Sequence, residues 1–243
     1  MNEKVGFRIF KDFERPSQQL VERFRGIPSS NIGDILSRLY CMRHEICPFN
    51  DNELLGVAFT VKAPAGDNLV LHKALDLAKP GDVIVVDAEG CVDRSLMGEM
   101  MFTYAERRGI KGVVVDGAIR DVDAAKRSSM AVYAKAVTPQ GPYKFGPGEI
   151  NVPVSCGGQV VFPGDILVGD GDGIVVIRPE IAGELAEEAI RKHNKEQEEL
   201  ERRAAETSTA EMEMRHDRKY DAVLKELGIQ YHEYADRKRG INR

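Results

Sequence analysis

Two short runs gather the side chains with the most chemical reach. Gly98-Glu99-Met100-Met101 is one, and Asp116-Gly117-Ala118-Ile119-Arg120-Asp121 is the other, with twenty residues between Glu99 and Arg120. At a helix start behind a buried strand, free backbone amides point outward and favour an anion, and a small carboxylate would suit them. Gly98 removes the side chain that would keep a ligand off that backbone. Arg120 can hold a carboxylate or enolate oxygen in a planar fork. Asp121 can ligate a hard divalent cation, as can Glu99 directly or through water. Anion-binding amides, one arginine and one or two carboxylates are what a metal-stabilised enolate needs. An Arg-Asp pair after a strand also reads as a plain salt-bridged turn, and the spacing alone leaves both readings open.

The flanking sequence predicts the elements that would position these groups. Val83 to Asp87 and Gly112 to Asp116 are short, β-branched and almost wholly apolar, the pattern of strands buried on both faces. Between them Met97 to Arg108 has helical spacing, with Met97, Met101, Tyr104 and Ala105 on one face and Gly109 as the stop. A short helix and a strand from Ala131 to Val137 follow, then Gly- and Pro-rich loops and edge strands from Thr138 to Gly158. Upstream, Ser29-Ser30-Asn31 starts a helix carrying Ile32, Ile35, Leu36 and Leu39, and Gly56 to Lys62 is strand-like. Asp67 and Asn68 could cap a helix bearing Leu71, Leu75 and Ala78, which Pro80-Gly81 ends. Lys79-Pro80-Gly81-Asp82 and Phe162-Pro163-Gly164-Asp165 echo each other, each a turn feeding a short strand. From Pro179 onward Glu, Lys and Arg dominate. A long helix is expected from Glu180 to Ala205, about 37 Å if continuous. It has a weak stripe of Ala189, His193, Glu196, Leu200 and Ala204 that reads as a solvated face or as an arm against a neighbouring subunit. A second helical piece runs from Arg218 to Leu227.

The strand-helix-strand order makes the expected fold α/β, and the length fits one compact domain plus an appendage, or two small domains. The chain has 243 residues, 42% hydrophobic and 30% charged, enough for a sizeable core and an ordinary polar surface. A formal net charge of −5 gives no global push toward nucleic acid or an anionic membrane. The charged N-terminus lacks a signal-peptide core, and no apolar run approaches a membrane span, so a cytoplasmic location is expected. Cys41, Cys47, Cys91 and Cys156 form no C-x-x-C pair, which argues against a zinc ribbon.

The run from Gly98 to Asp121 resembles the signature of the RraA-like proteins and the related class II pyruvate aldolases, of the 4-hydroxy-4-methyl-2-oxoglutarate or 4-carboxy-4-hydroxy-2-oxoadipate type. Their pattern is an acidic residue, twenty residues of spacer, then Arg-Asp. The similarity extends from Ser29 to Pro179 and includes Pro64-Ala65-Gly66-Asp67-Asn68, Asn151-Val152-Pro153-Val154 and the Pro-Gly-Asp strands. It divides the chain into an N-terminal extension (1–28), a catalytic domain (29–179) and a helical C-terminal arm (180–243). The resemblance implies a swivelling β/β/α fold assembled as a homotrimer or hexamer. It also implies a lyase that makes pyruvate enolate from a small 2-oxo acid, with oxaloacetate decarboxylation as a side activity. Under it Asp121 would bind Mg²⁺ or Mn²⁺, and Arg120 would contact the keto-acid oxyanion. Amides from Gly98 through Glu99 and Met100 to Met101 would hold the carboxylate, and Glu99 would act on a water bound to the ion. A C-terminal glutamate from a neighbouring subunit would approach the metal, with Glu196 as the counterpart by register and Glu198 or Glu199 as alternatives. Two departures bear on the substrate: Glu99 stands where the aldolases carry aspartate, and Ala124 stands where they carry a further acidic residue.

The rival reading is a non-catalytic regulator that binds a ribonuclease or helicase, as in the branch that gives RraA its name. There the carboxylate after the arginine is typically missing, so Asp121 favours the enzyme. A Schiff-base aldolase would need a buried lysine; Lys135 is the best candidate, and it reads better as an exposed strand residue. His72 reads as a core or interface residue, and His193 as solvent-exposed. Gly169-Asp170-Gly171-Asp172-Gly173 lacks the later glutamate of a calcium loop and reads as a turn between strands.

Overall fold

Side-chain parity along the central strands organises the molecule. In the computed structural model, which describes residues 4–205 and 219–232, Ile84 and Val86 enter one apolar cluster while Val83 and Val85 enter another on the opposite face. Such strands are buried on both sides, which is why they read as continuous apolar runs. They belong to β3 (Asp82–Met97), which lies between β2 (Leu54–Lys62) and β4 (Gly112–Ile119). With β5 (Ala131–Val137) these four strands run parallel. The sheet is completed by antiparallel edges: β1 (Cys47–Pro48) on β5, and β9 (Ile166–Asp170) with β10 (Gly173–Ile177) on the β2 side. The short β6 (Glu149–Ile150) also pairs with β2, and β7 (Val154–Cys156) with β8 (Gln159–Val161) forms a separate hairpin.

Helices α3 (Leu69–Leu77) and α4 (Glu99–Arg107) cover one face, packing Leu71, Leu75, Phe102 and Ala105 on Phe59, Ile84, Val113 and Val115. The β7–β8 hairpin covers the other with Val154 and Val161. A third cluster joins Phe24, Ile32 and the β9–β10 pair to the helix after Pro179. Earlier helices are short: α1 (Gln18–Glu22), α2 (Ser29–Ile35) and, after β4, α5 (Val122–Arg127).

The two Pro-Gly-Asp turns are the same local device. Asp82 accepts the Lys79 amide at 2.8 Å, and Asp165 accepts the Phe162 amide at 2.7 Å. Each carboxylate is buried and gripped by an arginine, Arg15 for Asp82 and Arg178 for Asp165. They flank β2, where Val57 pairs with Asp82 on one side and Ile166 on the other.

Several boundaries differ from the sequence expectation. Helix α2 stops at Ile35 because Ser37 and Arg38 take positive φ, so Leu39 leaves the helix and is 70% exposed. Strand β3 continues past Asp87, through a bulge at Glu89 and Gly90 with positive φ, to Met97. Met97 is therefore strand, and α4 begins at Glu99; Tyr104 on that helix is exposed, its hydroxyl on Asp76. His193 is half-buried with an unpartnered Nδ1 instead of solvent-exposed.

The chain divides into two compact units, Met1–Asn194 and Lys195–Arg243. The helix α6 (Pro179–Ala204) starts inside the first, burying Ala182, Leu185, Ala186 and Ala189. In the second unit Glu199 pairs with Arg202 and Arg203, and α7 (Lys219–Glu226) is followed by Gly228 at φ +72°. Arg218, expected to start that helix, lies outside the described residues. No helix among the described residues is long and apolar enough to cross a membrane.

Candidate active site

Strands β3 and β4 are parallel neighbours and end level with each other, Met97 opposite Ile119. That register brings the two runs singled out in the sequence side by side at the carboxyl ends of the strands, where open α/β sheets place ligands. The Arg120 amide donates to Met97 O at 2.9 Å, tying the second run to the residue before Gly98.

Asp121 is the N-cap of α5, yet its side chain makes no bond to that helix. It sits in the left-handed region (φ 59°, ψ 51°) and turns its Oδ2 to the Glu99 amide at 2.9 Å, capping α4 instead. A non-glycine residue at positive φ is held there by its surroundings, and such residues gather at functional sites. Gly98 makes the arrangement possible. A methyl there would lie 2.5 Å from Asp121 Oδ2, 3.0 Å from Arg120 Cγ and 3.1 Å from Arg120 Nε. Its φ of −154° is ordinary extended backbone, so the glycine is required by space and not by conformation.

Helix α4 begins with its amides partly spoken for. Glu99 N–H goes to Asp121, while Met101 and Phe102 N–H both reach Gly98 O, at 2.9 and 3.0 Å. Met100 N–H lies in the first turn of α4, and the residue four positions back, Leu96, belongs to β3 and not to the helix, so this amide has no intrahelical partner. Met100 lines a cleft of about 230 Å³, together with Asn68, His72, Arg120, Asp121, Pro142 and Lys144 among others. Arg120 Nε stands 3.7 Å from Asp121 Oδ2 with both side chains nearly half exposed, a loose pair worth well under about 1 kcal/mol. The guanidinium fork and the outer carboxylate oxygen therefore remain open to a ligand.

The structure brings Gly98, Met100, Met101, Arg120 and Asp121 together around the cleft. Glu99 contributes its amide to the cluster, but its carboxylate leans outward to Arg127 at 3.9 Å and does not line the cavity. Glu196 lies on α6 in the second unit, half-buried. Lys135 is exposed on β5, its ammonium 3.5 Å from Asp116 Oδ1.

The cleft also takes polar side chains to which the sequence assigned no place in a site: Asn68, read as a helix cap, His72, and Lys144, which carried no signal at all. Partial burial and then the nearby Lys144 ammonium lower the His72 pKa, with Asp76 opposing, so the imidazole is held toward its neutral form. His72 is exposed at the cleft edge, which removes the core half of the core-or-interface expectation. Lys144 comes from a Gly/Pro-rich loop where periodicity carries no signal.

The donor set discriminates among metals. No group of three or more His, Cys, Asp or Glu able to hold a metal occurs among the described residues, so they form no zinc-type cage by themselves. One open carboxylate beside an anion site suits a hard cation that keeps most of its waters and takes oxygen ligands from substrate.

Comparison with known proteins agrees with this architecture. A relative from Halalkalibacterium halodurans named "Putative 4-hydroxy-4-methyl-2-oxoglutarate aldolase" is 44% identical over 158 residues, 65% of this chain and 75% of its own. The structure of Streptomyces coelicolor RraAS2, described as an unusual member of the RNase ES inhibitor RraA protein family, superposes with a TM-score of 0.69. It is 28% identical, over 77% of this chain and all of that one. An uncharacterised protein from Pseudomonas syringae pv. tomato shares the fold at a TM-score of 0.72 and 24% identity, over 81% of this chain and 97% of its own. The RraA-like family model, Aldolase/RraA, matches residues 29–176, which contain both strand ends and the whole cleft, and the chain belongs to that family.

Proposed function

We propose that this protein is a divalent-metal-dependent lyase that cleaves a 4-hydroxy-2-oxo acid to pyruvate through the pyruvate enolate. The observation that carries the reading is the bond from the Glu99 amide to Asp121 Oδ2, made in the space that Gly98 leaves free. It leaves an open carboxylate, an open guanidinium and an uncommitted helix amide around one small cleft. The aldolase names of the relatives support the same class of chemistry.

In this reading the substrate carboxylate lies against the Met100 amide at the positive end of α4. Arg120 spans the carboxylate and keto oxygens with its planar fork and holds the oxyanion as it forms. The C4 hydroxyl proton goes to a water that Glu99 would serve as base once its exposed carboxylate turns from Arg127 toward the cleft. The C3–C4 bond then breaks, leaving a carbonyl at C4 and the enolate at C2–C3. A proton delivered to C3 gives pyruvate. Asp121 would hold Mg²⁺ or Mn²⁺, with Glu196 of a neighbouring copy in a trimer or hexamer as a second carboxylate. The cation, when bound, would supply Lewis-acid stabilisation of charge at the keto oxygen. Decarboxylation of oxaloacetate passes through the same enolate and is expected as a side activity.

The likeness to RraAS2 favours one other reading, a non-catalytic regulator that binds a ribonuclease or helicase. Pyruvate release from 4-hydroxy-4-methyl-2-oxoglutarate and from oxaloacetate, measured with Mg²⁺ and with EDTA, separates them. Metal-dependent release is the expected result. No release together with no metal binding would overturn the lyase and leave the regulator.

A further inference from the structure

The loop between β5 and β6 lines the cleft with Pro142 and Lys144 and is fastened on both sides of Lys144. Tyr143 donates its amide to Gly66 O at 2.8 Å and accepts from the Asn68 amide at 3.0 Å. Immediately after Lys144, the amides of Phe145 and Gly146 both donate to Asp67 Oδ2, at 2.6 and 3.1 Å. Asp67 is 4% exposed, and its other oxygen accepts the Leu69 amide at 2.9 Å, anchoring it to the start of α3. Upstream, Ser95 holds Gln140 O through both its amide and its hydroxyl, and Arg94 holds Gly141 O. Lys144 is thus a flexible cation on a clamped backbone, and no carboxylate pairs with it among the described residues. Its closeness to His72 is felt in the lowered pKa of that imidazole.

We propose that Asp67 is a positioning residue: by clamping the two amides after Lys144 it fixes that ammonium over the cleft, where Lys144 reads a second carboxylate at the far end of the substrate. This rests on the reading of the cleft as a 2-oxo acid site. Arg120 and the Met100 amide take the keto-acid end, which leaves Lys144, the other cation lining the cleft, for a second anionic group on the same small molecule. Without the clamp the lysine keeps its charge and loses its place. A point charge on a four-carbon stem is useful for recognition only where its base is held.

The test is calorimetric binding in Mg²⁺ of 2-oxoglutarate, which carries the second carboxylate and is not cleaved, against 2-oxobutyrate, which lacks it. The full chain should prefer the diacid by about tenfold or more, the scale of one charge-assisted contact. Lys144→Met should erase the preference. Asp67→Asn, nearly isosteric and retaining one acceptor, should lose most of it, and Asp67→Ala all of it, with circular dichroism and binding of 2-oxobutyrate reporting an intact cleft. The Asp67→Ala/Lys144→Met double variant should match Lys144→Met alone, because Asp67 acts through the lysine. Equal affinities in the parent protein, a preference that survives Asp67→Ala, or losses that simply add would overturn the proposal. Preference without pyruvate release from any hydroxy-oxo acid would instead sink the lyase reading and leave this one standing.

Discussion

Replacing Gly98 with alanine puts one methyl where Asp121 Oδ2 now lies 2.5 Å away. Carbon and oxygen need roughly 0.8 Å more than that. The neighbour must therefore move, and the nearest movable group is the carboxylate that would hold the cation. Two effects on stability nearly cancel. Losing the half-exposed Glu99 N–H···Oδ2 bond costs about 1 kcal/mol. Alanine at an extended φ of −154° returns about 0.4–1 kcal/mol by restricting the unfolded chain. The fold should persist, with a melting temperature within a few degrees of the parent. Turnover should not persist, because an error approaching 1 Å in a reacting constellation costs on the order of 100-fold, or about 2.7 kcal/mol in the barrier. Gly183→Ala, a glycine with nothing within 4 Å of its added methyl, is the control and should keep full activity. The assay is metal-dependent pyruvate release, coupled to NADH oxidation by lactate dehydrogenase, beside a thermal melt. Activity within about threefold of the parent would refute the packing argument, and so would activity lost only in proportion to folded protein.

Asp121→Asn keeps an acceptor for the Glu99 amide and a residue type that tolerates φ 59°, so it should melt within about 1 kcal/mol of the parent. Its Mg²⁺-dependent turnover should nevertheless fall by about 100-fold or more; a magnesium titration that restores full rate would count against the assignment. Burial raises the Asp165 pKa even with Arg178 beside it, and removing Arg178 should raise it further. A raised carboxyl costs nothing below its unfolded pKa near ~3.9, and its cost grows as pH climbs through the folded value. Arg178→Met should accordingly lose about 3 kcal/mol at neutral pH and much less in mild acid, read by urea unfolding at both; equal losses would remove the buried carboxylate as the cause. Lys144→Met should raise the His72 pKa, since a nearby cation now holds it down after burial. An NMR titration with no upward movement would place the ammonium elsewhere.

The paired strands and the two chemical runs were legible because burial on both faces writes an unbroken apolar run, and strand ends in an α/β sheet are where ligands go. Legibility failed where a residue's surroundings outvoted its neighbours in sequence. Met97 fits the helical spacing of Met101 and Ala105, yet pairing with Ile119 holds it in β3, and the helix waits for Gly98. The bulge at Glu89 and Gly90 breaks a period of two, so the far half of β3 looked like loop. Asp67 was recognised as a cap, and it does take the Leu69 amide; its second oxygen serves a loop nearly eighty residues away, which no local pattern records. Lys144 is placed by that bond, so it was invisible for the same reason. Glu99 had the right spacing, but spacing fixes a backbone position and not a rotamer, and its carboxylate leans on Arg127.

A bare helix start offers several amides at once and would accept almost any carboxylate. Here Asp121 already occupies the first amide of α4, and Gly98 O satisfies the third and fourth, which leaves the one at Met100 for a ligand. A single amide is a weak anion site. It becomes selective only with the Arg120 fork beside it, which demands a planar pair of oxygens, as a 2-oxo acid presents. The same bond that spends one amide holds Asp121 in its left-handed conformation, at a strain of about 1 kcal/mol or more, and leaves its outer oxygen beside the anion site. The glycine, the strained aspartate and the lone amide are therefore one device. Altering any of them moves the other two, which is why the space at Gly98, and not a charge, is the sharpest place to probe it.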